Sequence, residues 1–176
     1  MGAGFIDYII ADRFVVPTTE EESYSEAIVF MPVSYQVNDA HRKIDDTYPT
    51  RSSVGLPDRG IVFCCFNQAE KLTPEVFAVW MRLLKNVPDS VLWLLAFNSY
   101  TEKSLRARAS SYGVDHGRLI FAPKIPYRKH LARYKHADLF LDTFPCNAHT
   151  TASDALWGGC PVLTCAGRTF ASRVAG

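Results

Sequence analysis

Apolar runs of strand length return at near-regular intervals from residue 61 onward: Ile61–Cys65, Val91–Ala96, Leu119–Phe121, Leu139–Leu141 and Val162–Thr164. None alternates polar with apolar positions, so each is expected to be buried on both faces. Stretches of helical spacing lie between them. Val76, Phe77, Val79, Trp80, Leu83 and Leu84 make one stripe. Thr73 stands ahead of that stripe as an N-cap, with Pro74 at the first helical position and Glu75 beside it. Pro88 and Asp89 stop the helix. Thr101–Tyr112 reads as a second helix with Gly113 as its C-terminal cap. Tyr127–His136 reads as a basic helix turning Leu131 and Tyr134 inward, and Thr151–Trp157 as a short one ended by Gly158 and Gly159. A last helix is expected to start near Thr169. Strand followed by helix, repeated, predicts an α/β fold with a doubly wound, parallel, Rossmann-like sheet.

Residues 1–59 follow a different pattern. Phe5–Ala11 suits a short strand, and Thr18-x-x-Glu21 resembles a capping box opening an acidic helix. Pro32 and the polar Gln36–Arg59 stretch read as a connector. The expected division is therefore a connector over 1–59 and a nucleotide-binding domain over 60–176.

Ligands of doubly wound sheets sit beyond the carboxyl ends of the strands. Polar clusters fall at every such end: Asn67-Gln68, Asn98-Ser99, Pro123-Lys124, the His149-Thr150-Thr151 loop and Arg168. One crevice is expected to collect them. The loop after Leu141 carries the strongest signal. His149, Thr150 and Thr151 arrive where a new helix begins, and a first helical turn holds unpaired N–H groups and a partial positive charge. That combination makes a cradle for a phosphate. Thr150 or Thr151 serves equally well there as a simple N-cap.

Bulk properties narrow the field. The chain has 176 residues, 48% of them hydrophobic and 21% charged, with a formal net charge of +1. This suits one soluble globular domain and gives no broad attraction to nucleic acid or to an anionic membrane. The run Val91–Phe97 is too short to span a bilayer. Five cysteines without a C-x-x-C pair read as reduced thiols of a cytoplasmic protein, and no metal-ligand spacing is present. Cys64, Cys65, Cys160 and Trp157 are expected in the core. A receiver domain with Asp142 as phosphoacceptor lacks the acidic cluster near the first strand that would hold Mg²⁺.

Phe66-Asn-Gln-Ala-Glu-Lys71, Val87-Pro-Asp-Ser-Val-Leu-Trp-Leu-Leu95, Asn147-Ala-His-Thr-Thr-Ala-Ser-Asp154 and Ala171-Ser-Arg-Val-Ala175 together resemble the C-terminal catalytic half of the protein O-GlcNAc transferase family, which includes SPINDLY-related proteins. Residues 4–40, with Asp7-Tyr-Ile-Ile-Ala-Asp12 and Tyr24-Ser-Glu26, are similar to the segment joining that family's two catalytic halves. The resemblance implies an inverting GT-B glycosyltransferase that moves N-acetylglucosamine from UDP-GlcNAc to Ser or Thr hydroxyls of acceptor proteins, without a metal or other cofactor. It also implies a fragment truncated at both ends. The N-terminal catalytic half and the tetratricopeptide repeats would be missing, so the fragment alone is expected to be inactive and poorly soluble.

Residue roles follow from the resemblance. Lys71 would bind the donor diphosphate and stabilise the departing nucleotide, and Gln68 would point at the same group. His149, Thr150 and Thr151 would cradle the diphosphate. Asp154 would hold the ribose hydroxyls. His130 and Arg133 would contact the uracil; a base-contacting lysine of animal members falls near Tyr127, a departure from the family pattern. Each position also has a plainer reading: a solvated lysine, a turn-capping amide, a first-turn carboxylate, a solvated basic face. Two alternatives stand beside the leading one. Related family members use GDP-fucose, though they lack the histidine before the paired threonines. The chain is otherwise a non-catalytic UDP-sugar-binding or interaction module.

Overall fold

The computed structural model describes residues 2–176. Among the described residues, seven strands form two parallel sheets. The larger sheet holds β3 (Val62–Cys65), β4 (Val91–Leu95), β5 (Leu119–Ala122), β6 (Leu139–Leu141) and β7 (Val162–Leu163) in the order β5-β4-β3-β6-β7. Cys64 pairs with Trp93 on one side and Phe140 on the other, which fixes the register at the sheet centre. Helices α1 (Pro74–Asn86), α2 (Ser99–Ser111), α3 (Tyr127–Arg133) and α4 (Thr150–Trp157) fill the crossovers. This is the doubly wound arrangement read from the sequence. Its strand order reverses between β3 and β6, which puts the switch point of the sheet there.

Burial follows the apolar runs. Val62, Phe63, Cys64 and Cys65 are all buried, as are Leu92, Trp93 and Leu94. Thr73 Oγ1 accepts from the Val76 N–H and Pro74 opens α1, so that helix starts where its cap predicts. Val79 of the expected stripe is about half exposed, whereas Phe77, Trp80 and Leu84 pack against the sheet together with Met81. Each such side chain contributes about 1.5–3 kcal/mol on burial.

Several boundaries differ from expectation. Helix α2 begins at Ser99, because Asn98 Oδ1 accepts from the Thr101 N–H and caps it two residues early. The basic helix is α-helical only to Arg133 and finishes as a 3-10 turn over Tyr134–His136. The final helix is a single 3-10 turn, Phe170–Ser172, closed by reciprocal bonds between Thr169 and Ser172. The Thr18–Ser23 segment is also 3-10, starts after Pro17 and has no side-chain cap.

Residues 2–59 are more than a linker. Strands β1 (Tyr8–Ala11) and β2 (Ala27–Phe30) pair in parallel, and the second has no counterpart in the sequence reading. Ala11, Val15 and Val16 form a small core with Ile28, Phe30, Phe170 and Val174, which ties the N-terminal segment to the end of the chain. Trp157 is another correction. It is 38% exposed rather than core, and Arg42 stacks on its ring.

Gly158 lets α3 and α4 meet. A Cβ there would lie 2.7 Å from Tyr134 Cβ and 2.8 Å from the Leu131 carbonyl oxygen. The close approach places α4 beside the helix carrying His130 and Arg133.

Candidate functional site

A cleft of about 610 Å³ opens at the switch point. Gln68, Lys71, His130, Arg133, His149, Thr150, Thr151 and Asp154 all line it, together with Asn67, Lys124 and Tyr127. The eight residues chosen from the sequence thus share one cavity, of a size usual for small-molecule sites. Asn98, Ser99 and Arg168 do not line it, contrary to the expectation that one crevice collects every strand-end cluster. Asn98 is spent on capping α2.

The wall after β3 is built around Asn67 and Lys71. Gln68 precedes a 3-10 turn over Ala69–Lys71, and its amide makes no capping bond. Lys71 Nζ donates to the Asn147 carbonyl at 2.7 Å, bridging the two sides of the switch point. Behind it, burial pushes the Cys65 thiol up to about 12, so that sulfur stays protonated.

The opposite wall is the loop from β6 into α4. Buried Asp142 organises it. Its Oδ1 accepts from the N–H groups of Thr143 and Ala148, both at 2.7 Å, and from Asn67 Nδ2 at 3.2 Å, while Oδ2 accepts from Thr164 Oγ1 at 2.7 Å. Asn67 Nδ2 also donates to Thr143 Oγ1, and Asn147 Nδ2 donates to the Thr143 carbonyl. This network delivers His149 as the N-cap residue of α4, ahead of Thr150. The imidazole of His149 is held below its ordinary value by burial and by the nearby Lys71 ammonium. Thr151 Oγ1 donates to Asn67 Oδ1, so its hydroxyl proton is committed to the wall. The main-chain N–H groups of Thr150 and Thr151 find no partner among the described residues. A helix N-terminus in that state attracts an anion.

The floor is aromatic and basic. His130 lies 5.3 Å from Tyr134 and 5.5 Å from Phe66 between ring centroids. Burial, with Arg133 nearby, pushes its imidazole down to about 4, so the ring is neutral at physiological pH. Arg133 is only 1% exposed, and its guanidinium lies 5.1 Å over the Phe66 ring. Its Nη2 donates to the Pro123 carbonyl at 3.0 Å, but Nε and Nη1 are buried without a partner among the described residues. A buried, unpaired guanidinium donor is costly unless a ligand satisfies it.

Asp154 closes the cleft. Its Oδ1 accepts from Arg42 Nη1 and from Tyr127 Oη, both at 2.7 Å. Burial raises its pKa, while Tyr127 and Arg42 pull it back down.

Known proteins share this architecture. The model of glycosyl transferase family 41 matches residues 46–176. The chain belongs to glycosyl transferase family 41. It is 42% identical over 180 residues to an Arabidopsis thaliana protein named "Probable UDP-N-acetylglucosamine--peptide N-acetylglucosaminyltransferase SEC", covering 99% of this chain and 18% of that protein. A Caenorhabditis elegans protein named UDP-N-acetylglucosamine--peptide N-acetylglucosaminyltransferase is 42% identical over 126 residues, 72% of this chain and 11% of its own length. The structure of a Thermobaculum terrenum O-GlcNAc transferase mutant superposes with a TM-score of 0.80 at 29% identity, covering 96% of this chain and 32% of that one. The family 41 chain therefore spans less than a fifth of the two curated relatives.

Sequence reasoning missed part of the site in this family 41 chain. Asn67, Asp142 and Thr143 build the wall, and Asn67 was visible only as a polar strand-end residue. Two residues arrive from the N-terminal segment: Arg42, and Tyr35, whose Oη lies 3.5 Å from His149 Nδ1. Their partners are more than a hundred positions away, so no local pattern announces them.

Proposed function

We propose that this chain is the donor-binding part of a protein O-GlcNAc transferase, holding UDP-GlcNAc while N-acetylglucosamine passes to a Ser or Thr hydroxyl of an acceptor protein. One observation carries the reading: the Lys71 ammonium and the free N–H groups at the start of α4 line the same cleft. A diphosphate suits the space between them, with His149 beside it. The ribose would lie against Asp154, and the uracil against His130, where the unpaired Nε and Nη1 of Arg133 supply donors for a base carbonyl.

The reaction joins the acceptor oxygen to the anomeric carbon and breaks the bond from that carbon to the diphosphate, with inversion. Negative charge grows on the departing UDP. Lys71 and the α4 N-terminus are fixed where that charge develops, which lowers the barrier without reorganisation. Asp154 is ion-paired to Arg42 and so is ill-suited to take the acceptor proton. We assign that proton to a group beyond this cleft or to the donor itself.

Isothermal titration of UDP and GDP into the 176-residue chain tests the reading. Saturable UDP binding at least tenfold tighter than GDP is expected. Preference for GDP would transfer the assignment to a GDP-fucose donor, and binding of neither would remove the nucleotide reading.

A further inference from the structure

The N-terminal segment sends a side chain that is outside the cleft lining onto the cleft residue Asp154. Arg42 lies far from α4 in sequence, yet its side chain is only 9% exposed. Its Nη1 donates to Asp154 Oδ1 at 2.7 Å and to Tyr127 Oη at 3.2 Å. Its guanidinium stacks 4.9 Å from the Trp157 ring centroid, and the Trp157 indole N–H donates to the Arg42 carbonyl at 3.2 Å. Side chain and main chain are thus both fixed on α4.

The geometry is selective between the two carboxylate oxygens. Arg42 and Tyr127 both converge on Oδ1, whereas Oδ2 has no partner among the described residues. Asp154 is 4% exposed and lines the cleft. A carboxylate with one oxygen saturated and the other left over keeps an acceptor for a ligand hydroxyl. The cation also offsets the cost of keeping that carboxylate ionised while buried.

We propose that Arg42 is a positioning residue for the donor: it pins Asp154 through Oδ1 so that Oδ2 meets the ribose diol of the nucleotide. Arg42 itself need not touch the nucleotide. The proposal rests on the reading that Asp154 contacts the ribose, and the test separates the two.

UDP and 2′,3′-dideoxy-UDP are titrated into the wild-type chain and into Arg42→Met. Wild type should hold UDP about tenfold more tightly than the dideoxy analogue, the scale of a hydrogen bond to a charged group. Arg42→Met should lose that factor for UDP and leave the dideoxy affinity unchanged, so the discrimination collapses. Arg42→Lys, which keeps the cation, should restore most of it. A merely structural role would weaken both nucleotides together, and equal loss on both, or loss on neither, overturns the proposal. Wild type that fails to distinguish the two nucleotides removes the Asp154–ribose contact and the proposal with it. Should Arg42→Met fail to fold, Tyr127→Phe deletes the other donor to Oδ1 and must show the same hydroxyl-dependent loss.

Discussion

Lys71 and Asn147 are joined across the switch point: the Lys71 ammonium donates to the Asn147 carbonyl at 2.7 Å, so the cation is tethered to the loop that starts α4. The tether keeps the charge in the cleft when no ligand is bound. It also predicts how the site fails. Lys71→Met removes the charge proposed to face the diphosphate but only one half-buried hydrogen bond. UDP affinity should drop at least tenfold, while thermal stability falls by about 1 kcal/mol. Titration and a melt on the same sample check both. An affinity loss matched by a collapse in stability would make Lys71 a structural strut.

Asp142 should behave in the opposite way. Its two oxygens satisfy donors from Thr143, Ala148, Asn67 and Thr164. Asp142→Ala leaves those donors buried without an acceptor, which costs on the order of 3 kcal/mol or more. Denaturant unfolding measures this, and a cost under about 1 kcal/mol would show that the loop holds its shape without the carboxylate.

Acid should weaken the fold through His130. The unfolded imidazole takes a proton near pH 6.5, while the buried ring resists it until about 4. The unfolded state therefore binds more protons across that window. Stability is complete above about pH 6.5 and declines as pH falls toward 4, by on the order of 2–3 kcal/mol. His149, also shifted downward by burial, adds to the decline, whereas the raised pKa of Asp154 opposes it. Urea unfolding between pH 7 and 4.5 should show this slope, and His130→Phe should flatten it. An unchanged slope in the variant would place the titration elsewhere.

How much of this was legible beforehand depended on how local each signal is. The runs Ile61–Cys65 and Val91–Ala96 announced buried parallel strands because they never alternate, and Thr73-Pro74 marked the start of α1 because a cap and its proline are adjacent. His149 stood out because strand ends in this fold collect ligand-facing groups, whereas Lys71 and Asp154 were singled out through the family resemblance. Strand β2 was missed: Ala27–Phe30 is four residues long and gains its meaning only from pairing with Tyr8–Ala11. Trp157 was misplaced for a similar reason. Its partner Arg42, which stacks on the ring and accepts from the indole N–H, lies 115 positions away, so no local pattern reveals it.

An apolar cleft of about 550 Å³ lies between α1 and β7, lined by Val79, Trp80, Phe144 and Leu163, with Val79 and Leu163 about half exposed. Surface of this kind beside a sheet edge favours self-association. Leu163→Lys should reduce concentration-dependent light scattering of this chain without changing UDP affinity. Scattering that stays the same would clear this face of a role in aggregation.

The central claim is that a nucleoside diphosphate sits between Lys71 and the start of α4. Calorimetric titration of UDP into the wild-type chain and into the Lys71→Ala/His149→Ala double variant tests it most directly. Saturable heat in the wild type and its loss in a variant that still melts cooperatively is the predicted result. Equal UDP affinity in the two proteins would contradict it.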